Sequence, residues 1–372
     1  MADANWAGGG NVGAVPEIDA LTSLGPRRAG SEAERRGARA LEKRLRELGR
    51  DVQVEPARVR ANFGVTHLVH LVAGIVASVL SVYQPHAGLA LAVIATLSAF
   101  GDLTGTFYLA RLLTPARASQ NVVSGEDNGK PGLIVLVAHY DAPLTGMLNR
   151  GRLRAWPRVI LASLGLITVC ALVRVVGLDA TWFTIIEFIP TVVLIAGAPL
   201  FVDAAIGDTA TGAADNAAGV MTVLQLARSH GERLTNFDLM VVFTGASAHS
   251  GLGMRSWLKR HGRDLDPEAT AVISVDDLGG GIPAFAVKEG PLFASRMHPM
   301  LVELAREAGG TAYESREISD AYIARSMGLP ALRISTTETG RDDPDPDTVA
   351  RVREFASALL ERLDDEIGPS LR

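Results

Sequence analysis

Only one cysteine, Cys170, occurs in 372 residues, which excludes both a disulfide framework and a metal site built from several thiolates. Any metal must therefore be held by His, Asp and Glu. An excess of positive charge is also missing. Lys and Arg number 36 against 41 Asp and Glu, for a formal net charge of -5, and no basic stripe is interleaved with aromatic residues, so no nucleic-acid partner is expected. Residues 1–11 are small and polar and lack the basic-then-apolar layout of a cleaved export signal. That role is left to the first long apolar run. Repeats and low-complexity tracts are absent as well.

What the chain does have is apolar sequence gathered into blocks. Its apolar fraction is 48%, and the excess lies in four runs. Residues 65–83 are nearly uncharged, Gln84-Pro85-His86 makes a turn, and a second run continues over 87–113. The runs 158–178 and 181–206 form a second pair, broken near Gly177 and Asp179 and carrying Pro190. About 20 apolar residues span a bilayer, so two transmembrane hairpins are expected. Core helices of a large soluble fold are the alternative, which so few charges disfavour. Each hairpin returns the chain to the side it left, so the soluble blocks can fold together. Arg50, Arg58, Arg60, Arg111, Arg117, Arg150, Arg152, Arg154 and Arg158 flank the runs on that side and only Arg174 on the other, which predicts a cytoplasmic soluble part. His67, His70, Asp102, Glu187 and Asp203 lie in or beside the runs. Most are near an end, where anchoring at the interface is expected over an ion path, and Glu187 is the first to mutate. Four spans with few polar groups offer no evident route for transport.

Outside the runs the pattern is α/β. A capping box of Ser31 and Glu34 opens an amphipathic helix over 31–49 with Leu41, Leu45 and Leu48 on one face. Strands are expected at 51–59, 120–124, 132–140, 237–244, 270–275 and 331–334, and helices from about 216, at 300–308 and at 348–363 with Val352, Phe355 and Leu359 inward. Strands alternating with helices argue for a mostly parallel mixed sheet in a three-layer α/β/α domain. The expected parts are 13–62, 114–155 and 207–370 for this domain, with hairpins at 63–113 and 156–206.

Two segments carry chemistry. Ala138-His139-Tyr140-Asp141 ends a buried strand, and residues two apart there point the same way, so one can bind a metal while the other fixes its geometry. A structural histidine fits that segment equally well. In the run from Gly212 to Gly219, the Asp215-Asn216 pair among small residues lets a carboxylate bridge metals beside a helix start, or simply caps that helix.

In this order, the segments resemble the co-catalytic zinc aminopeptidase family that includes bacterial leucyl aminopeptidases and the glutamate carboxypeptidase and transferrin receptor group. Ser319-Asp320, the Gly328-Leu329-Pro330-Ala331-Leu332 run and Asp347-Thr348 also match its late motifs. The resemblance implies a zinc-aminopeptidase-like fold, one or two zinc ions and a peptide or protein substrate. It makes His139 a ligand, Asp141 the supporting catalytic carboxylate, Asp215 the bridging ligand and Asp276 a further ligand. The sequence also departs from the family. Where the family has Gly-x-Glu-Glu-x-Gly-Leu, this chain reads Gly245-Ala246-Ser247-Ala248-His249-Ser250-Gly251-Leu252. Ala248 takes the place of the general base and His249 that of a ligand; shifted by one, Ser247 and Ala248 stand there. In the final motif Asp343 replaces the usual histidine. His249 and Asp343 are either exchanged ligands or a loop residue and a turn former. Two functions follow as expectations. One is a membrane-bound metallopeptidase with a weakened site. The other is a non-catalytic membrane scaffold that binds a peptide or partner in the old cleft.

Overall fold

The computed structural model describes residues 15–149, 151–177, 180–341 and 343–367. The expectations for residues 1–11, Arg150 and Asp179 lie outside the described residues, as does the side chain of Arg152. The chain forms two compact units, one comprising Met1–Ala61, Arg117–Pro143 and Thr209–Arg372, the other Asn62–Ala116 and Leu144–Asp208.

The first unit is built on a nine-stranded sheet. In chain order its strands are β1 Gln53–Val59, β2 Arg117–Ser124, β3 Gly132–His139, β4 Phe237–Thr244, β5 Thr270–Val275, β6 Gly280–Glu289, β7 Ser295–Arg296, β8 Thr311–Glu314 and β9 Ala331–Glu338. Across the sheet they run β1-β2-β4-β3-β5-β9-β6-β7, with β8 pairing β6. The four central strands, β4, β3, β5 and β9, are mutually parallel. The mostly parallel expectation needs correction at the margins, where β1 with β2, β2 with β4, β6 with β9 and β6 with β7 are antiparallel. For β6 the cause is connection length. The link 276–279 between β5 and β6 is far too short for the crossover that parallel strands require.

Every residue of β5 is buried, and all but one of β3, which is why both read as continuous apolar runs. Helix Glu32–Glu47 starts on Ser31, whose side chain accepts from the Glu34 amide at 3.1 Å. Leu41 and Leu45 face the core. Glu34 does not complete a capping box; its carboxylate turns inward to the Gly30 amide at 2.6 Å and the Ser119 hydroxyl at 2.8 Å. Helix Pro346–Arg362 packs Val352, Phe355 and Leu359 into the core, as its periodicity predicts.

The second unit consists of helices Phe63–Tyr83, Pro85–Thr104, Trp156–Val175 and Thr181–Ile206. All four are long and apolar enough to cross a membrane. The second ends earlier than expected, because Gly105 takes a left-handed conformation at φ 70°. Leu71, Ala92, Leu164, Leu194 and Phe201 contribute to its core, while Val72, Ile94, Val169, Ile185 and Ile189 face outward. Glycines permit close backbone approach: a Cβ on Gly88 would lie 2.3 Å from Ser81 Cα.

The ionisable groups here do not follow the anchoring expectation. His67, His70, Asp102 and Glu187 are buried inside the unit, and for Asp102 and Glu187 arginine partners from the same unit offset the cost of desolvation. Arg174 Nε donates to Glu187 Oε2 at 2.6 Å, and Ser81 donates to the same carboxylate. Arg111 pairs with Asp102. Two of the arginines counted for topology, Arg111 and Arg174, are thus paired with carboxylates inside this unit.

Candidate functional site

The parallel strands converge on one end of the first unit, and the ligand-type side chains gather there. This is where open α/β sheets place their binding sites, at the carboxyl ends of the strands. His139 is the last residue of β3 and Asp276 follows β5 directly. Asp215 comes from the irregular turn at 213–217 before helix Ala218–His230. Gly212 opens that turn at φ 68°, and the Asp215-Asn216 peptide is cis. Asn216 donates its side-chain amide to Val275 O at 2.7 Å, which ties the turn to the end of β5.

His139 Nε2 lies 2.9 Å from Asp215 Oδ1 and 3.0 Å from Asp276 Oδ1. Its other nitrogen is 3.0 Å from Asp141 O, which fixes the ring so that Nε2 faces the two carboxylates. Burial opposes a charge on His139, but Asp276, Asp141 and Asp215 outweigh it and hold the imidazolium well above its ordinary range. Asp276 is the counterpart. Despite burial, Arg333 and then His139 hold its carboxyl well below the usual range.

The Asp141 carboxylate lies behind the ring, with Oδ1 3.5 Å from His139 Nδ1, and is not one of the three converging donors. Oδ1 accepts from the Ser247 amide at 2.9 Å, and Oδ2 from the Ala248 amide at 3.2 Å. It therefore supports both the His139 ring and the loop that departs from the family pattern. Asp320 holds the same loop from beneath, accepting from Ser247 Oγ at 2.8 Å and Thr244 Oγ1 at 2.6 Å. Burial raises its carboxyl to about 6.

Of the five proposed ligands, the structure brings His139, Asp215 and Asp276 together, with donor atoms within 4.8 Å of one another. His249 and Asp343 are not in that group. His249 is half-buried, with burial lowering its pKa against the nearby charges of Asp141 and Asp215. Asp343 is exposed. The donor set that remains, one imidazole and two carboxylates, fits zinc in the manner of catalytic sites with three protein ligands and an open position.

Several members of the site carry no local sequence signal. Arg27 is fully buried and donates to Tyr140 O at 2.7 Å, Thr211 O at 3.1 Å and Gly212 O at 2.9 Å, clamping the segments after His139 and before Asp215. Burial lowers its pKa to about 10, opposed by Asp141 and Asp215. Arg333, on β9, reaches Asp276 Oδ2 at 3.1 Å. Asp277 turns away to accept from the Gly340 amide at 3.0 Å, and burial, then the charge of Asp215, raises it to about 7.

The sequence model of peptidase family M28 matches residues 195–353. That segment holds Asp215 and Asp276. Among solved structures, it is similar to a Zn-dependent exopeptidase from Parabacteroides distasonis, with 14% identity, 95% of this chain and 97% of the other covered, and a TM-score of 0.53. A leucine aminopeptidase precursor from Bacteroides thetaiotaomicron matches with 15% identity, coverage of 94% and 96%, and a TM-score of 0.53. A glutaminyl cyclase from Tannerella forsythia matches with 17% identity, coverage of 94% and 97%, and the same TM-score. At these identities the likeness establishes the mixed α/β fold. No protein of curated function matches in sequence. The matched family is one of peptidases, and the donor set of His139, Asp215 and Asp276 fits zinc.

Proposed function

We propose that the chain is a membrane-embedded, zinc-dependent hydrolase acting on peptides in the manner of an aminopeptidase, with a weakened catalytic site. The observation that carries this reading is the convergence of Asp215 Oδ1 and Asp276 Oδ1 on His139 Nε2, at 2.9 and 3.0 Å. Zinc bound there would polarise a substrate carbonyl and ease deprotonation of water.

The protein's own groups have separable tasks. Asp141 O orients the imidazole, Arg333 fixes Asp276, and Asp215, whose side chain is 27% exposed, forms the open side from which a peptide would approach. No carboxylate extends from the 245–252 loop to take a proton. Ala248 stands at the base position with its amide bound to Asp141, and Ser247 Oγ is committed to Asp320. Loss of a general base removes about 100-fold to 10,000-fold in rate, so slow turnover is expected. The four apolar helices would form two hairpins in the bilayer, and the arginine bias would place the hydrolase unit in the cytoplasm.

Ala248 also favours a second reading, in which the cleft binds a peptide or partner protein without cleaving it. Zinc analysis of the detergent-solubilised protein, with an aminoacyl nitroanilide assay on wild type and Asp215→Ala, separates the two. The hydrolase reading expects bound zinc and slow cleavage, both lost in the variant. A metal-free protein indifferent to that substitution supports the scaffold, and rapid cleavage rules out a weakened site. Proteolysis of sealed vesicles tests the orientation.

A further inference from the structure

We infer that the centre is built for a single cation and that Arg333 is the positioning residue that makes it so; this rests on the zinc reading above. Asp276 divides its two oxygens between different partners. Oδ1 faces His139 at 3.0 Å, on the side where Asp215 also points, whereas Oδ2 accepts from Arg333 Nη2 at 3.1 Å. A carboxylate held in this way presents one lone-pair face to one ion.

Arg333 is itself immobilised. It is 3% exposed, and its Nη1 lies 2.9 Å from Glu289 Oε1 and 3.0 Å from Glu317 Oε2. Glu289 is anchored in turn by the Ser319 hydroxyl at 2.6 Å. The planar fork thus spans Asp276 on one side and the two glutamates on the other, a geometry that a lysine cannot reproduce. A permanent positive charge so close to Asp276 repels a second dication and blocks the oxygen that would help to hold it.

The rest of the cleft agrees. Among the described residues, only His139, Asp215 and Asp276 converge as a metal-ligand group. Asp343, at the position of the family's other terminal ligand, is exposed and outside it. Guanidinium and dication therefore have separate seats on the two oxygens of Asp276. The arginine acts on the metal only through that carboxylate.

The test uses the full chain in detergent micelles, stripped with a chelator and titrated with zinc against a competing fluorescent chelator, with elemental analysis of the saturated protein. One zinc per chain is expected. Arg333→Met should weaken zinc by about 10-fold to 100-fold, the usual effect of losing an outer partner of a ligand, and Arg333→Lys should recover part of that loss. Cobalt in place of zinc gives a signature that a merely structural role would not move. Freeing Oδ2 lets Asp276 bind through both oxygens, so visible absorption should fall as the coordination number rises. If Arg333→Met does not fold, Glu317→Gln loosens the fork from its 48% exposed side, and a few-fold loss of affinity is expected. Two zinc ions per wild-type chain overturn the inference and leave the zinc reading intact, whereas no zinc at all removes that reading. One zinc with unchanged affinity and an unchanged cobalt spectrum in the variants overturns the role of Arg333.

Discussion

Replacing Glu34 by Gln should make the protein less sensitive to rising pH. Glu34 is fully buried and accepts from the Gly30 amide at 2.6 Å, the Ser119 hydroxyl at 2.8 Å and the Ala246 amide at 3.0 Å. Burial first, and then the charge of Asp141, raises its carboxyl from the ordinary 4.5 to about 8 in spite of those bonds. Below the unfolded value, folded and unfolded chains both hold the proton and Glu34 contributes no pH dependence. Between 4.5 and about 8 the unfolded chain has released the proton and the folded chain keeps it, so stability falls as pH rises. Above that window the buried carboxylate is charged and the loss is complete. The full shift corresponds to a ceiling of about 5 kcal/mol, which water entry and relaxation reduce to about 2 to 3 kcal/mol. Gln removes the titration at a fixed cost from its amide facing the Gly30 N-H. In thermal unfolding followed by intrinsic fluorescence, the melting temperature of Glu34→Gln minus wild type should rise by about 5 °C between pH 4.5 and 8.5. Parallel curves for the two proteins would refute the reasoning.

Restoring a carboxylate by Ala248→Glu should raise aminoacyl nitroanilide hydrolysis by about 100-fold or more if the cleft keeps its geometry, and no change would show that more than the base is lost. A Cβ on Gly219 would lie 2.1 Å from Asn216 Oδ1 and 2.6 Å from Val275 O, so Gly219→Ala should displace the Asp215 turn, cost about 1 to 3 kcal/mol and weaken zinc in a competition titration. Glu187→Leu strands the buried Arg174 and should cost about 3 to 5 kcal/mol in detergent melting, with the double variant Arg174→Leu/Glu187→Leu less damaging; a double variant as unstable as the single would refute this. Gly88→Leu should separate the first two apolar helices, read as a lower melting temperature of the helical unit.

Much of the fold is legible because its signals are local. The strands 237–244 and 270–275 fall where the continuous apolar runs predict them, since burial on both faces leaves no room for polar residues. Capping by Ser31 and the inward stripe of Val352, Phe355 and Leu359 also depend on near neighbours. Strands β6, β7 and β8 escaped sequence reading. β6 is interrupted by Gly281 and Pro283, and its place beside β9 comes from pairing with distant chain, not from its own periodicity.

The sequence by itself determined where the apolar helices run and which His, Asp and Glu lie at strand ends, because both depend on residue type and short spacing. It singled out His139, Asp215 and Asp276, whose segments carry recognisable turns and buried strands. It could not decide that His249 and Asp343 stay outside their cluster, since ligand geometry depends on how loops separated in the chain come to rest. Nor could it show Arg333 on Asp276, Arg27 across two loops or Glu187 paired inside the helices. Buried charges of that kind persist only where a distant partner offsets desolvation, and that partner exists only once the chain has folded.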